Sequence, residues 1–392
     1  MIPPKTHAVL DAASAALLLA APTMLGWPAR VSRGLATLGL GVAAYSLLTR
    51  YDGGRAPLGL SEHRMLDAAQ GALALGLALR ERDPVIRKTV TAYGLFSLTA
   101  AALTAPKGAP GLPVGSAALP IRNGDLVEVA EDVAYMRLAI VNVVFLGRVG
   151  AADRGWVLID AGIGGSGHAI RAAAARRFDS ARPAAIILTH GHFDHVGALR
   201  DLAEHWDCPI YAHPNERPFL DGSSRYPSAS PEVGGGLMAN LSPLFPRGPL
   251  DVSDRLRDLP QAGELPAMPE WRWIHTPGHS PGHVSLWHAG RAILIAGDAL
   301  SATRQESCYY AVTQRPELHG PPAYFTPDWA AAKASARRLA GLTPDILVAG
   351  HGPALAGAEF KAALARLAED FSSVAMPKHG RYVQGAFHDR SS

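Results

Sequence analysis

Six consecutive residues, His190-Gly191-His192-Phe193-Asp194-His195, form the densest run of metal-ligating side chains in the sequence. They follow Thr189 and the apolar run Ala184–Leu188, which reads as a short buried strand. Imidazoles at alternate positions past a strand end can converge on one cation. The Asp and the third His then face a second position a few ångströms away. Nitrogen-rich ligation with a carboxylate suits zinc, with iron or manganese as alternatives. Three protein ligands and an open position make a catalytic centre, because water bound there ionises near neutral pH.

A matching set lies downstream. His275-Thr276-Pro277-Gly278-His279-Ser280-Pro281-Gly282-His283 joins two expected strands, Trp271–Ile274 and Val284–Trp287. Its Pro and Gly residues fix a tight turn that can aim one imidazole inward. Ile293–Ala296 reads as a strand leading through Gly297 to Asp298, and Ile346–Ala349 as one leading through Gly350 to His351. Trp156–Ile159 ends in Asp160-Ala161-Gly162 in the same manner. Strand ends that each deliver a ligand-type residue are how a layered α/β enzyme builds a site at one edge of its sheets.

The order Asp160-x-Gly, His190-x-His192-x-Asp194-His195, His279, Asp298, His351 resembles the metallo-β-lactamase fold superfamily over roughly residues 121–372. The resemblance implies an α/β fold, an αββα sandwich with a dinuclear centre of two Zn2+ per chain, Fe or Mn being the alternatives. By position it implies that His190, His192 and His279 hold the first metal. Asp194, His195 and His351 would hold the second, and Asp298 would bridge the two. Asp160 would stand behind them and orient a ligand histidine. The implied activity is a metal-dependent hydrolase in which a metal-bridged hydroxide cleaves an ester, thioester, lactone or related bond. Asp194 would also orient the nucleophile and pass a proton to the leaving group. His192 separates the chain from the flavodiiron oxygen reductases, which carry Glu there. The complete ligand set separates it from mononuclear persulfide dioxygenases. The Thr-Pro-Gly-His-Ser-Pro-Gly-His turn is most similar to glyoxalase II and lactonase-type hydrolases. Where lactonases carry a Tyr shortly after the bridging Asp, this chain has Ala299 and Leu300, with Tyr309 and Tyr310 further on. Rival readings are an iron-dependent redox enzyme of the same fold and a non-catalytic, membrane-anchored metal-binding sensor. Of the other histidines, His283 reads as a support behind the ligands, His275 as a strand end and His213 as a helix cap. His288, His319, His379 and His388 read as surface residues.

At 392 residues the chain is long for one domain. Its hydrophobic content, 48%, is high for a wholly soluble enzyme, and the excess lies near the N-terminus. Residues 1–110 hold 11 Lys and Arg against 6 Asp and Glu, which leaves 26 and 28 for the remainder. That near-neutral remainder has no basic stripe, so a nucleic-acid substrate is not expected; the expected partner is a small-molecule substrate. The two cysteines, Cys208 and Cys308, form no disulfide framework.

Four apolar stretches, Ala8–Leu25, Leu35–Leu48, Met65–Leu79 and Val85–Leu103, occupy the first hundred residues. They approach the roughly 20 residues needed to span a bilayer, and they are rich in the small residues of packed membrane helices. The segment is also duplicated. His7-Ala8-Val9-Leu10-Asp11-Ala12-Ala13 matches His63-Arg64-Met65-Leu66-Asp67-Ala68-Ala69, which implies two helical hairpins and an all-α four-helix unit. Within each copy the His and Asp share a helix face. The simpler reading is that they mark helix starts, where a carboxylate suits the dipole; the other is a polar site inside the membrane. A signal peptide over residues 1–21 and a soluble bundle are the competing readings. Lys5, Arg50, Arg55, Arg64 and Lys107 fall on one side of four crossings. Arg30, Arg33, Arg80, Arg82, Arg87 and Lys88 fall on the other, close to a tie by the positive-inside comparison. The expectation is a multi-pass protein in contact with membrane lipid, its catalytic domain cytoplasmic.

The expected organisation is therefore a transmembrane four-helix domain over 1–105, a Pro/Gly linker over 106–120, a hydrolase domain over 121–375 and a polar tail over 376–392. Asp125–Val133 and Ala134–Leu146 read as hairpin strands. Residues 214–270 read as a loop and short-helix insertion, a lid near the site mouth or a peripheral excursion. Ser307–Thr326 reads as the other wall.

Overall fold

The structure, a computed structural model, describes residues 2–49, 51, 57–58, 60–104, 108–114 and 124–383. Arg50, Arg55 and Lys107 of the charge comparison, the linker residues 105–107 and 115–120, and the tail beyond 383 with His388 lie outside the described residues. The chain divides into two compact units, Met1–Gly108 with Pro231–Asn240, and Ala109–Ser230 with Leu241–Ser392.

The first unit contains the helices α1 (Pro4–Met24), α2 (Ala29–Leu47), α3 (Leu60–Leu79) and α4 (Pro84–Leu103). α1 packs on α2 and α3 on α4, giving two hairpins. α4 starts where its sequence says it should. Pro84 occupies the first turn, where a missing N–H costs nothing, and the Asp83 carboxylate accepts from the backbone of Val85 and Ile86 at 2.8 and 3.1 Å. The α3–α4 contact is close enough to require glycine, since a Cβ on Gly71 would stand 2.8 Å from the Gly94 carbonyl. Ala15, Leu18, Leu35, Val42, Ala74, Ala78, Ile86 and Val90 form the core. Among the described residues, α1 alone is long and apolar enough to cross a membrane.

The second unit is built on two sheets. The first runs in sequence order through β1 (Leu126–Ala130), β2 (Val133–Leu138), β3 (Val141–Leu146), β4 (Val157–Ile159), β5 (Ala185–Ile187), β6 (Ile210–Ala212) and β7 (Leu256–Asp258). Its first four strands are antiparallel and its last four parallel. The second sheet contains β8 (Glu264–Leu265), β9 (Met268–His275), β10 (Val284–His288), β11 (Ile293–Gly297), β12 (Ile346–Ala349) and β13 (Leu355–Ala356), in that spatial order. Only β11 and β12 run parallel.

Strand alternation explains the layering. Val133, Tyr135, Val144 and Ile187 point from the first sheet into a core shared with Trp271, Leu286, Ile295 and Val348 of the second. Met136, Phe145, Leu158 and Ile186 point the other way, onto α5 (Gly167–Phe178) and α6 (Leu199–Trp206) through Ile170, Phe178, Leu202 and Trp206. α7 (Trp329–Gly341) and α8 (Ala358–Glu369) pack on each other, and α8 meets β13. Strands buried on both faces read as unbroken apolar runs, which is what β4, β5 and β11 are.

Three local expectations need correction. Ala134–Leu146 is two strands, because Ala139 takes a left-handed turn (φ 58°) between β2 and β3. Residues 214–270 are not one irregular insertion: they contain β7, β8 and the start of β9, and Pro231–Asn240 belongs to the first unit, where Asn240 accepts from Arg64. His288 and His319 are buried, not on the surface. His288 accepts from the Arg291 backbone N–H and packs edge-on to Trp271, while His319 pairs with Glu317 at 2.9 Å.

Candidate metal centre

Each ligand-type side chain stands just past a buried strand. Asp160 follows β4, the His190–His195 loop follows β5, His279 lies in the turn between β9 and β10, Asp298 follows β11, and His351 follows β12. Because β4 pairs with β5 and β11 with β12 in parallel register, the ends of each pair lie together.

All seven residues singled out in the sequence, His190, His192, Asp194, His195, His279, Asp298 and His351, are buried and converge. Their ligand atoms form three groups, His190/His192/His279, His190/His195/Asp298 and Asp194/His195/His351, each within 4.8 Å. Asp298 lies among them. Its Oδ2 is 3.0 Å from His351 Nε2 and 3.5 Å from His279 Nε2, and its Oδ1 is 3.4 Å from His195 Nε2. Asp194 Oδ2 is 3.6 Å from His351 Nε2. This approach requires a glycine at 350, where a Cβ would overlap the Asp298 carboxylate.

The ring nitrogens facing away from the centre fix the tautomers. His190 Nδ1 lies 3.1 Å from Thr189 Oγ1, whose own hydrogen goes to Asp160 Oδ2. Thr189 can therefore only accept, and His190 carries its proton on Nδ1. His195 Nδ1 donates to Asp160 Oδ2 at 2.8 Å, and His351 Nδ1 lies 2.7 Å from the Ile140 carbonyl, with the Gln305 side-chain amide against the same nitrogen. His279 Nδ1 donates to Thr326 Oγ1 at 3.3 Å, and that hydroxyl donates on to the Pro322 carbonyl. In all four rings Nε2 is turned inward, while His192 presents Nδ1, 2.8 Å from His279 Nε2. Outer partners that set the tautomer and basicity of a ligand histidine are a property of metal sites.

The electrostatics fit a cation. Burial holds His190 and His279 well below the ordinary imidazole range and His192 down to about 3, so all three are neutral donors. Burial also opposes charge on His195, but Asp298, Asp160 and Asp194 outweigh it and raise its pKa well above normal. His190 Nε2, His195 Nε2 and Asp298 Oδ1 are buried without a hydrogen-bond partner. Three orphaned polar atoms aimed at one point are costly unless an ion satisfies them.

Asp160 holds the loop from behind. Besides His195 it accepts from the backbone N–H of Thr189 at 2.7 Å, and it sits in a left-handed conformation (φ 61°). His283 Nε2 accepts from the backbone N–H of Asp298 at 2.9 Å, which supports that carboxylate without joining the cluster. His275 ends β9, and His213 caps the turn after β6 by accepting from Asn215 N–H.

Sequence reasoning missed Glu216. Fully buried, it accepts from Gly191 N–H at 3.0 Å, from Gly282 N–H and Ser280 Oγ at 2.7 Å, and from the Tyr226 hydroxyl. One carboxylate thus ties the 190–195 loop to the 275–283 turn. Tyr226 in turn packs its ring 4.2 Å from that of His192, with Phe325 at 5.0 Å. Nothing local in Pro214-Asn215-Glu216 signals this. Tyr324 was missed as well. Burial, with the charges of Asp194, Glu306 and Asp298, keeps its phenol protonated far above neutral pH. Tyr309 is exposed and Tyr310 lies under Arg304 and Arg315, so neither is placed at the centre.

Residues 136–351 match the family model of the metallo-beta-lactamase superfamily. The probable metallo-hydrolase YflN of Bacillus subtilis is 44% identical over 266 residues, covering 68% of this chain and 99% of YflN. Hydroxyacylglutathione hydrolase GloC of Haemophilus influenzae is 30% identical over 117 residues, 29% of this chain and 49% of GloC. The crystal structure of the B3 metallo-beta-lactamase BLEG-1 aligns at 22% identity with a TM-score of 0.42, over 67% of this chain and 99% of that one. With its ligand-bearing strand ends and that length of shared sequence, the chain belongs to the metallo-beta-lactamase superfamily and is one of its metallo-hydrolases.

Proposed function

We propose that this metallo-hydrolase is dinuclear, holds two Zn2+ per chain, and cleaves an ester, thioester or lactone bond in a small molecule. The observation that carries the reading is the position of Asp298 between the two ligand groups, within 3.5 Å of nitrogens from both. His190, His192 and His279 would hold one ion, Asp194, His195 and His351 the other, with Asp298 touching both. Ions so held would polarise a substrate carbonyl and supply a nucleophilic hydroxide near neutral pH. Asp194, besides its ligand role, would orient that nucleophile and hand a proton to the leaving group. The protonated Tyr324 phenol is available as a hydrogen-bond donor to developing negative charge.

The name of GloC puts a hydroxyacylglutathione thioester first among substrates to try. The test is a hydrolysis screen of the purified full-length chain on thioester, lactone, ester, β-lactam and phosphodiester substrates, with metal content measured in parallel. Two equivalents of zinc and turnover of an acyl substrate are expected. Iron with oxygen uptake and no hydrolysis would refute the reading.

We also propose that all four N-terminal helices enter the membrane, placing the enzyme beside lipid. α2, α3 and α4 are 19, 20 and 20 residues long and turn large apolar side chains outward, among them Leu40, Leu47, Leu73, Leu79, Val85 and Leu95. Exposed apolar surface on that scale is unfavourable in water. Full-length protein should remain in the membrane pellet after a carbonate wash. Recovery as a soluble monomer without detergent would sink the proposal.

A further inference from the structure

The duplicated His and Asp residues of the first unit do not mark helix starts facing solvent. His7 and Asp11 of α1 meet His63 and Asp67 of α3, and all four are buried. His7 Nε2 and His63 Nε2 are 3.1 Å apart. From His7 Nε2 it is 3.3 Å to Asp11 Oδ1 and 2.8 Å to Asp67 Oδ2. From His63 Nε2 it is 3.0 Å to Asp11 Oδ2 and 3.3 Å to Asp67 Oδ2. We propose that these four side chains form a second metal centre, separate from the hydrolase centre, that takes one divalent transition-metal ion such as Zn2+ in a tetrahedral two-nitrogen, two-oxygen shell.

Three observations support this. The first is size. A tetrahedron with bonds of about 2.0–2.1 Å has edges of roughly 3.3 Å, and the four measured edges among His7 Nε2, His63 Nε2, Asp11 Oδ2 and Asp67 Oδ2 run from 2.8 to 3.3 Å, while His7 meets Asp11 through the other carboxylate oxygen at 3.3 Å.

The second is tautomer. His63 Nδ1 lies 2.8 Å from Thr49 Oγ1, and that hydroxyl gives its hydrogen to the Tyr45 carbonyl at 2.6 Å. Thr49 can only accept, so His63 carries its proton on Nδ1 and a neutral ring offers a bare Nε2 to the centre. Thr104 stands in the same place for His7, 2.6 Å from its Nδ1. The carboxylates are held likewise: the Tyr45 hydroxyl donates to Asp67 Oδ1 at 2.7 Å and the Tyr51 hydroxyl to Asp11 Oδ2 at 2.6 Å. Each ligand thus has its own outer partner.

The third is symmetry. His7 and His63 are 56 residues apart, as are Asp11 and Asp67. Thr49 follows α2 and bonds the histidine of the second hairpin, while Thr104 follows α4 and bonds that of the first. Even the short bridges repeat, Ile2 with Thr104 and Leu58 with Thr49. Two copies of a helical hairpin therefore give one site whose donors come equally from both. Two carboxylates removed from water need compensating positive charge, and one divalent ion would supply it while both imidazoles stay neutral.

The test uses the full-length chain in detergent, loaded with Zn2+ and then freed of unbound metal. Zinc per chain is measured for the wild type and for His63→Ala. The variant should hold one equivalent less and keep the hydrolase activity of the wild type per folded chain. Because the reading is a difference between the two, it does not depend on how many ions the hydrolase centre holds. Thr49→Val, which removes the acceptor behind His63 but no ligand, should keep the ion and bind it about 10- to 100-fold more weakly in a chelator competition. Equal zinc in wild type and His63→Ala would overturn the proposal and leave a proton-sharing His–Asp network. Should His63→Ala fail to fold, wild-type zinc affinity in Thr49→Val would overturn it.

Discussion

Replacing Asp298 with Ala is the severest test of the dinuclear reading, because its carboxylate lies within 3.5 Å of nitrogens from both ligand groups. Its oxygens stand 3.0, 3.5 and 3.4 Å from His351, His279 and His195 Nε2. Two divalent charges about 4 Å apart repel by roughly 17 kcal/mol at an effective dielectric of about 20. A carboxylate about 2.1 Å from each attracts each by roughly 16 kcal/mol on the same scale. The two attractions together exceed the repulsion; without them the second ion keeps the attraction of Asp194 alone, about 16 kcal/mol, which no longer exceeds the repulsion. Zinc should fall from about two equivalents to one or fewer. Hydrolysis should drop at least about a hundredfold, the size of effect seen when one source of transition-state charge stabilisation is removed. The fold should survive, since the buried residues of β11 are Ile293–Ala296 and the His283 bond goes to the backbone of residue 298. Metal analysis, a rate measurement and circular dichroism on the same sample decide the matter. His205→Ala, on the exposed side of α6, is the control and should change none of the three. An Asp298→Ala protein that keeps two zinc ions and full activity would refute the assignment.

Asp160→Ala strips the acceptor from His195 Nδ1 and from the Thr189 backbone; zinc affinity should fall about 10- to 100-fold in a chelator competition while the seven ligands remain. Glu216→Ala takes the side-chain acceptor from the buried Gly282 N–H, at about 1–3 kcal/mol, and leaves Gly191 N–H with the Tyr226 hydroxyl alone; the melting temperature should drop, and metal should leave the His190/His192/His279 group first. Burial raises the Cys208 thiol to about 11, so below that pH it stays protonated and unreactive. At pH 8 iodoacetamide should therefore label only Cys308 in the native protein, and label on Cys208 seen by mass spectrometry would contradict its burial.

The convergence of the candidate centre was legible because its ligand-type residues follow short apolar runs. Ile293–Ala296 and Ile346–Ala349 are recognisable as strands, and the residue two beyond each is fixed in space by the strand itself. Asp298 and His351 could thus be read in one dimension. Glu216 could not, since its partners lie 25 and 66 residues away and its own segment has no periodicity. The split of Ala134–Leu146 was hidden for a similar reason: Ala139 carries no turn signal, and its left-handed backbone is imposed by the pairing of β2 with β3. His288 and His319 were misplaced because a histidine outside a ligand pattern carries no sign of whether a neighbour will cover it.

The first unit shows the opposite case, where the pattern was visible and its meaning was not. Helix geometry requires His7 and Asp11 to share a face, as it does His63 and Asp67. It does not say whether that face turns inward, and a helix that is apolar nearly all round gives no moment from which to infer it. The duplication held the missing information. A lone His–Asp pair on one helix can serve as a cap, but two equivalent pairs on helices related by a repeat come to lie against each other when the hairpins associate. What one hairpin cannot stabilise, a buried imidazole and carboxylate with half a shell of partners, two hairpins complete. A repeat that keeps polar residues in register within otherwise apolar helices is therefore evidence about the interface between the copies, and the inward stripe of His7, Asp11, Ser14 and Leu18 is its structural counterpart.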